Sequence, residues 1–301
     1  MKVLVVTGDK NFRPGHPRHD LQASVVEKLS VVYWGRGSFW PPLPEGQYDV
    51  VTAQDPFWRG LFTWVAARRL SARLNVQVHA DLDGQSLVKR LIAKAVLRRA
   101  HSVRTVSEKI KLQVERLGVR APITVLPVFV DLEQYTSVVR RPHTVKNILW
   151  LGRFEEEKNP LAAIEILKEV LQKVPEARLT MLGAGTLQLA VLRCAAQLPS
   201  GAVEVLGWQP NPAVFFETAD VVLCTSLHES WGASIVEALA AGVPVVAPDV
   251  GVAEEAGATV VPRAQLAEAI VQVLEGGGVG VLKLSLPGAQ EWAQEWKKTL
   301  Q

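Results

Sequence analysis

Short runs of β-branched residues alternate with helix-length stretches from one end of this chain to the other. In the first half the runs are Lys2–Thr7, Val31–Trp34, Asp49–Ala53, Val76–Ala80, Ser102–Val106 and Ile123–Pro127. Between them lie Asp20–Leu29, Trp58–Ser71, Ser86–Arg99 and Glu108–Leu117, which read as helices. Several of the strands are apolar throughout, as expected of parallel strands covered on both faces. Strand–helix alternation predicts βαβ units and a doubly wound sheet.

The second half repeats the pattern. Strands are predicted over Asn147–Leu151, Arg178–Leu182, Val203–Leu206, Val221–Thr225, Pro244–Ala247 and Thr259–Val261. Helices are predicted over Pro160–Lys173, Thr186–Gln197, Ala233–Ala241, Arg263–Leu274 and Ala289–Leu300, with a glycine loop at 276–278. The alternation lapses near Phe129–Lys146, where Arg140-Arg141-Pro142-His143 reads as a linker. At 301 residues the chain is long enough for two domains. We expect an α/β fold with an N-terminal domain over 1–140, joined by the last helix at 289–301, and a C-terminal domain over 146–288. Two such sheets facing each other would form a cleft lined by the carboxyl ends of their strands.

Composition excludes several alternatives. A hydrophobic fraction of 48% with 21% charged residues rules out a disordered chain or a coiled coil. Cys194 and Cys224 are too few for a disulfide scaffold or a cysteine-rich zinc site, and they fit a reducing compartment. The six histidines are scattered, and no metal-ligand spacing occurs. No apolar run is long enough for a signal peptide or a spanning helix. A cytoplasmic chain is therefore expected. Charge is divided unevenly: residues 1–145 hold 22 Lys and Arg against 12 Asp and Glu, and residues 146–301 hold 11 against 18. The basic half either meets an anionic partner or attracts the acidic half. It carries no nucleic-acid reading motif, so nucleic acid is not an expected partner.

Chemistry is sought just after the strands. Leu151-Gly152-Arg153-Phe154-Glu155-Glu156-Glu157-Lys158-Asn159-Pro160 leaves a strand and enters a helix. Arg153 offers a planar fork and Lys158 a compact charge for phosphate oxygens. The alternative is a solvated turn in which the glutamates pair with the cations. In His228-Glu229-Ser230-Trp231-Gly232-Ala233-Ser234-Ile235-Val236-Glu237-Ala238-Leu239, Glu229 lies in a loop and Glu237 just inside a helix. Both carboxylates could face a ligand seated over the helix N-terminus, where Gly232 and Ala233 leave N–H groups open. Glu237 interrupts an otherwise buried-looking helix, and burying an unpaired carboxylate is costly. His79 ends a strand and is either structural or catalytic. Leu182-Gly183-Ala184-Gly185 lacks the third glycine of a dinucleotide fingerprint, since Gln188 stands in its place.

In this order, Gly152-Arg153…Lys158-Asn159-Pro160, Gly183-Ala184-Gly185, Leu206-Gly207-Trp208 and Glu229…Glu237…Ala241-Gly242-Val243-Pro244-Val245-Val246-Ala247 resemble the donor-binding domain of the GT-B glycosyltransferases of family 4, the glycosyltransferase group 1 family. The resemblance covers Asn147–Val261 and continues more loosely through the first half. It implies two facing Rossmann-like domains. It also implies transfer of a sugar from a nucleotide diphosphate sugar to an acceptor hydroxyl, usually with retention and without a metal or other cofactor. Arg153 and Lys158 would then hold the diphosphate, Glu237 the ribose, and Glu229 the transferred sugar. Ser230, Trp231, Gly232 and Ala233 would donate backbone N–H groups. Gly183 belongs to the donor-binding set, and Gly207 and Trp208 would lie near the base. His79 would reach the sugar from the first domain. The family's glycine pair after the first strand is absent; Gly8 and Gly15 stand in that loop and would let it approach the donor, which puts Gly15 in the donor-binding set.

The acceptor is less readable. Residues 87–99 carry five cations and no acid in a helical pattern. This helix either covers the sheet with a solvated cationic edge or rests on an anionic membrane, with a lipid-linked acceptor at the inner leaflet. Within the same fold a sugar-nucleotide epimerase or a phosphorylase is an alternative. A non-catalytic scaffold is another, supported by the short acceptor half.

Overall fold

The computed structural model describes residues 1–35 and 41–301. The chain forms two compact units, Met1–Phe129 with Leu286–Gln301, and Val130–Ser285.

The first unit runs β1 (Lys2–Thr7), α1 (Pro17–Ser24), β2 (Lys28–Tyr33), β3 (Val50–Ala53), α2 (Trp58–Arg69), β4 (Arg73–Val78), α3 (Leu87–Leu97), β5 (Ser102–Thr105), α4 (Glu108–Arg116) and β6 (Ile123–Val125). Its six strands are all parallel, in the order β2-β1-β3-β4-β5-β6. In β1 every residue from Val3 to Thr7 is buried, which is why the strand lacks a polar face. Helix α1 starts earlier than the Asp20 expected and stops before Leu29, which lies in β2. Its first residue is Pro17, whose fixed φ and missing N–H suit a first turn.

The second unit opens with α5 (Glu133–Thr136), then β7 (Lys146–Leu151), a 3-10 turn at Glu156–Lys158, α6 (Pro160–Leu171), β8 (Ala177–Leu182), α7 (Gln188–Ala195), β9 (Val203–Gly207) and α8 (Ala213–Phe216). It continues with β10 (Val221–Leu223), α9 (Ala233–Ala240), β11 (Val245–Ala247), α10 (Ala253–Ala256), β12 (Thr259–Val260), a 3-10 turn at Arg263–Gln265 and α11 (Leu266–Gly276). The parallel order is β12-β11-β10-β7-β8-β9. The strand order thus reverses between β7 and β10, which lie side by side and run parallel. In an open α/β sheet such a switch point is where ligands sit. Trp150, Phe154, Ile164, Leu179, Met181 and Ile270 are among the buried residues of this unit's core.

The last helix, α12 (Ala289–Thr299), returns to the first unit. Trp292 and Trp296, one turn apart, bury completely with Val3, Val5 and Val50. The Trp292 indole donates to the Pro127 carbonyl at 2.8 Å, and Asn75 donates to the Thr299 carbonyl at 2.8 Å. Residues 130–140 go with the second unit, whereas the sequence reading put them in the first. Tyr135 packs edge-on against Phe216, and Arg140 donates to the Phe216 carbonyl at 2.7 Å. The segment is short of apolar alternation because it is an anchored connection, not a free linker.

Candidate functional site

The loops that leave β7 and β10 at the switch point are tied together. The Leu227 N–H donates to the Glu157 carbonyl at 2.7 Å. Thr225 is the node beneath them: its hydroxyl accepts from the Trp150 indole at 2.9 Å and lies 2.9 Å from the carbonyls of both Lys158 and Asn159. Asn159 sits in the left-handed region at φ 50, so the chain turns sharply there before Pro160 starts α6. Arg263 clamps the second loop from below. Its guanidinium donates to the carbonyls of Thr225, Ser226 and Leu227.

On this platform Lys158 pairs with Glu229, and the Ser226 hydroxyl donates to the same carboxylate at 2.9 Å. Lys158 keeps 20% of its side-chain surface exposed and Glu229 10%. An ammonium has three donors. One is spent on Glu229, which leaves others for a second anion. Arg153 is not part of that cluster. It pairs with Glu157 and is largely exposed.

Gly232 precedes α9 at φ +96, a backbone that disfavours any side chain. The first turn of a helix leaves N–H groups without intrahelical acceptors, here those of Ala233 and Ser234. Trp231 is buried, its carbonyl accepts from the Val252 N–H, and its indole N–H has no partner among the described residues. Ser230 lies half-buried between Glu229 and this turn.

Glu237 is the second glutamate of the pattern. It sits within α9, where burial pushes its carboxyl up to about 7 and a hydrogen bond from the Tyr135 hydroxyl pulls the other way. Gly183 has a packing reason of its own. At φ +150 a Cβ there would lie 1.8 Å from the Gly152 carbonyl oxygen, so the turn after β8 closes directly on the loop after β7. The same turn delays α7, which starts at Gln188 because the Leu187 N–H bonds back to the Phe154 carbonyl. Gly207, at φ +70, ends β9 with open space where a side chain would point, and Trp208 beside it is 72% exposed.

In the first unit Gly15 lies at φ +89 in the loop after β1, with open space around it and its N–H on the Asp20 carboxylate. Gly8 serves packing instead, since the Arg59 guanidinium fills the space beside it. His79 ends β4 next to a cation that sequence reasoning missed. Arg104 is 1% exposed and has no acidic partner among the bonds of its guanidinium. It donates to Gln77 at 2.7 Å and to the carbonyls of Leu126 and Pro127, lies 3.5 Å from the His79 ring, and stacks over Trp292. Burial, and then the Arg104 charge, hold His79 well below the usual imidazole value. His79 is therefore neutral near pH 7, with an acceptor nitrogen turned to Arg104. Among the described residues no three His, Cys, Asp or Glu side chains cluster as a metal site, and no helix is long and apolar enough to cross a membrane.

Thr225, Arg263, Tyr135 and Arg104 carry no motif. Only a cation inside an expected strand, Arg104 in Ser102-Val103-Arg104-Thr105, was there to signal one of them.

Comparison with known proteins gives a consistent family. The sequence model described as "Glycosyl transferases group 1" matches residues 145–276, and "Glycosyl transferase 4-like domain" matches residues 5–128. The phosphatidyl-myo-inositol mannosyltransferase of Mycobacterium tuberculosis is 34% identical over 146 residues, 46% of this chain and 37% of that protein. An uncharacterized glycosyltransferase of Methanocaldococcus jannaschii is 30% identical over 118 residues, 39% of this chain and 28% of that one. The chain thus spans well under half the length of these curated relatives. Among solved structures, Anabaena HepE in complex with UDP-glucose superposes with a TM-score of 0.74 at 17% identity, over 100% of this chain and 95% of that one. That likeness is one of fold, the GT-B fold.

Proposed function

We propose that this chain, which belongs to the group 1 glycosyltransferases, moves a sugar from a nucleotide diphosphate sugar to an acceptor hydroxyl, with retention and without a metal. The Lys158–Glu229 pair, held at the switch point beside the N-terminus of α9, carries the reading. As the glycosidic bond breaks, negative charge grows on the diphosphate. Lys158 would meet that charge with its remaining donors, and the open N–H groups of Ala233 and Ser234 would add theirs. Arg153 would swing from Glu157 to the same phosphates, which its exposure permits. Glu229 holds Lys158 in place through their ion pair and would face the transferred sugar. Glu237 would accept from the ribose hydroxyls, with Gly207 and Trp208 beside the base.

For the acceptor we propose a lipid-linked sugar or other membrane glycan, met at a cytoplasmic bilayer surface. The relative named above is a phosphatidyl-myo-inositol mannosyltransferase, so a lipid acceptor occurs in this family. In this chain the first turns of α3 expose Leu87, Val88 and Leu91 among Lys89, Arg90 and Lys94. Only its far end, at Ala93, Val96 and Leu97, packs inward.

The purified chain, offered UDP-, GDP-, ADP- and dTDP-sugars, should release one nucleoside diphosphate in the presence of EDTA, faster when a glycolipid acceptor is added. The product linkage should keep the donor's anomeric configuration. A chain that consumes none of these donors is a binding scaffold, and the reading falls.

A further inference from the structure

A row of buried polar side chains crosses the sheet of the first unit and ends at His79. Asn75 on β4 donates to the Thr299 carbonyl at the end of α12, at 2.8 Å. Thr52 on β3 donates to the Asn75 side-chain oxygen at 2.7 Å, and Gln77 donates to the Thr52 hydroxyl at 3.0 Å. Arg104 on β5 donates to the Gln77 side-chain oxygen at 2.7 Å. All four side chains are buried. The direction of the row follows from its ends. A backbone carbonyl only accepts and a guanidinium only donates, so neither amide can turn over and the Thr52 hydroxyl has one orientation.

The same guanidinium meets His79. Its Nε donates to the Leu126 carbonyl at 3.1 Å and its Nη2 to the Pro127 carbonyl at 2.6 Å, and it lies over the Trp292 ring, 5.3 Å from the centroid. Held by these contacts, Nη1 meets both Gln77 and Nε2 of His79, the latter 3.5 Å away. An imidazole nitrogen this close to a group that can only donate is the accepting one. A charged ring, or a neutral ring with its hydrogen on Nε2, would set N–H against N–H. The neutral ring that remains carries its hydrogen on Nδ1. Burial and the Arg104 charge, which both disfavour the charged ring, act the same way.

We propose that Arg104 is a positioning residue: it fixes the His79 imidazole with hydrogen on Nδ1, which makes His79 a hydrogen-bond donor to a substrate oxygen and withholds it as a base. The proposal rests on the reading of His79 as the group of the first unit that reaches the transferred sugar. Whatever oxygen Nδ1 meets, it meets as a donor, and the lone pair that could take a proton is turned to a cation. The buried row back to Thr299 holds the guanidinium in the orientation that does this, so the tautomer is set before any ligand arrives.

The test uses the full chain with its histidines labelled with nitrogen-15, the His79 signals being those lost in His79→Gln. Near neutral pH and without substrate, nuclear magnetic resonance should show Nε2 of His79 unprotonated and Nδ1 protonated. A hydrogen on Nε2, or a charged ring, overturns the proposal with no Arg104 variant needed. Arg104→Met removes the donor and should release the ring to a mixture of tautomers; an unchanged tautomer in folded R104M overturns the role of Arg104. With a donor sugar that the parent consumes, H79Q and R104M should each slow transfer by about three- to tenfold, and the double variant no more than the slower of the two. If H79Q transfers as the parent does, or the two losses multiply, Arg104 does not act through His79 on the substrate and the inference falls. A parent that consumes no donor ends the transferase reading and with it the substrate role of His79; the tautomer, read without substrate, keeps the two failures apart.

Discussion

Lys158 and Glu229 form an ion pair that joins the loop after β7 to the loop after β10, 71 residues apart in the chain. The pair sits where an arriving diphosphate would find a cation already held in place. Two unit charges about 4 Å apart interact by about 4 kcal/mol at an effective dielectric near 20. Each 1.36 kcal/mol is tenfold in rate. Lys158→Ala should therefore lower kcat by about 100-fold or more, with the fold intact by circular dichroism. Turnover within a few-fold of the parent would remove Lys158 from the chemistry.

Gly183 makes a prediction about stability, because its Cβ position is filled by the Gly152 carbonyl. Gly183→Ala must push the turn after β8 off the loop after β7 and also strain φ. We expect a loss of at least about 2 kcal/mol, seen as a fall in Tm of several degrees. An alanine variant that melts with the parent would mean these two loops are not locked together.

The residues differ in how far the sequence could reveal them. Val3–Val6 and Ile148–Trp150 announce buried strands by their lack of polar alternation, and Pro160 and Gly232 mark helix starts. Those are local signals, so the two sheets and the loops after them could be read. Lys158 and Glu229 were readable as charged residues in loops after strands, and the family pattern gave them roles; that they touch is a tertiary fact. Thr225 depends on Trp150, 75 residues away, and Arg263 on carbonyls at 225–227, so neither has a local signature. Arg104 hid among the cations of a basic half, although its place inside a β-strand was the clue. Tyr135 was missed because its segment lacks a period: α5 is a single turn, and the ring contact of Tyr135 is with Phe216.

The elevated carboxyl of Glu237 links pH to stability. In the unfolded chain a glutamate ionises near pH 4.3, whereas in the folded chain burial moves Glu237 to about 7. Between those values the folded state holds a proton that the unfolded state has lost. Stability from this group is therefore greatest below the unfolded value, falls as pH rises, and is lowest above the folded value. The charged form costs about 3 kcal/mol at most, since Glu237 is not wholly enclosed. Glu237→Gln should raise Tm by a few degrees at pH 8 and hardly change it at pH 4.5, while weakening nucleotide binding. Equal shifts at both pH values would mean that the carboxylate is not desolvated.

Helix α3 gives the prediction that bears on the acceptor. Leu87 is 75% exposed, Val88 61% and Leu91 66%, an apolar cluster that ordinary solvated helices do not present. Arg99 is already stacked over Trp64, and Arg98 is bonded to the Leu117 carbonyl. Lys89, which donates to Gln85 at 3.0 Å and lies over the Phe57 ring, Arg90 and Lys94 stand nearest in sequence to the exposed leucines. Each cation near an anionic bilayer contributes about 1 kcal/mol, and a buried leucine about 2. Co-sedimentation with vesicles containing phosphatidylserine should be strong at low salt and weaken as salt rises. Lys89→Glu with Arg90→Glu should cut partitioning by at least ~30-fold, and Leu87→Ser with Leu91→Ser should weaken it even at low salt. Binding that tracks neither pair of substitutions would place the membrane contact elsewhere, and no binding to any anionic vesicle would leave α3 as a helix that covers the sheet.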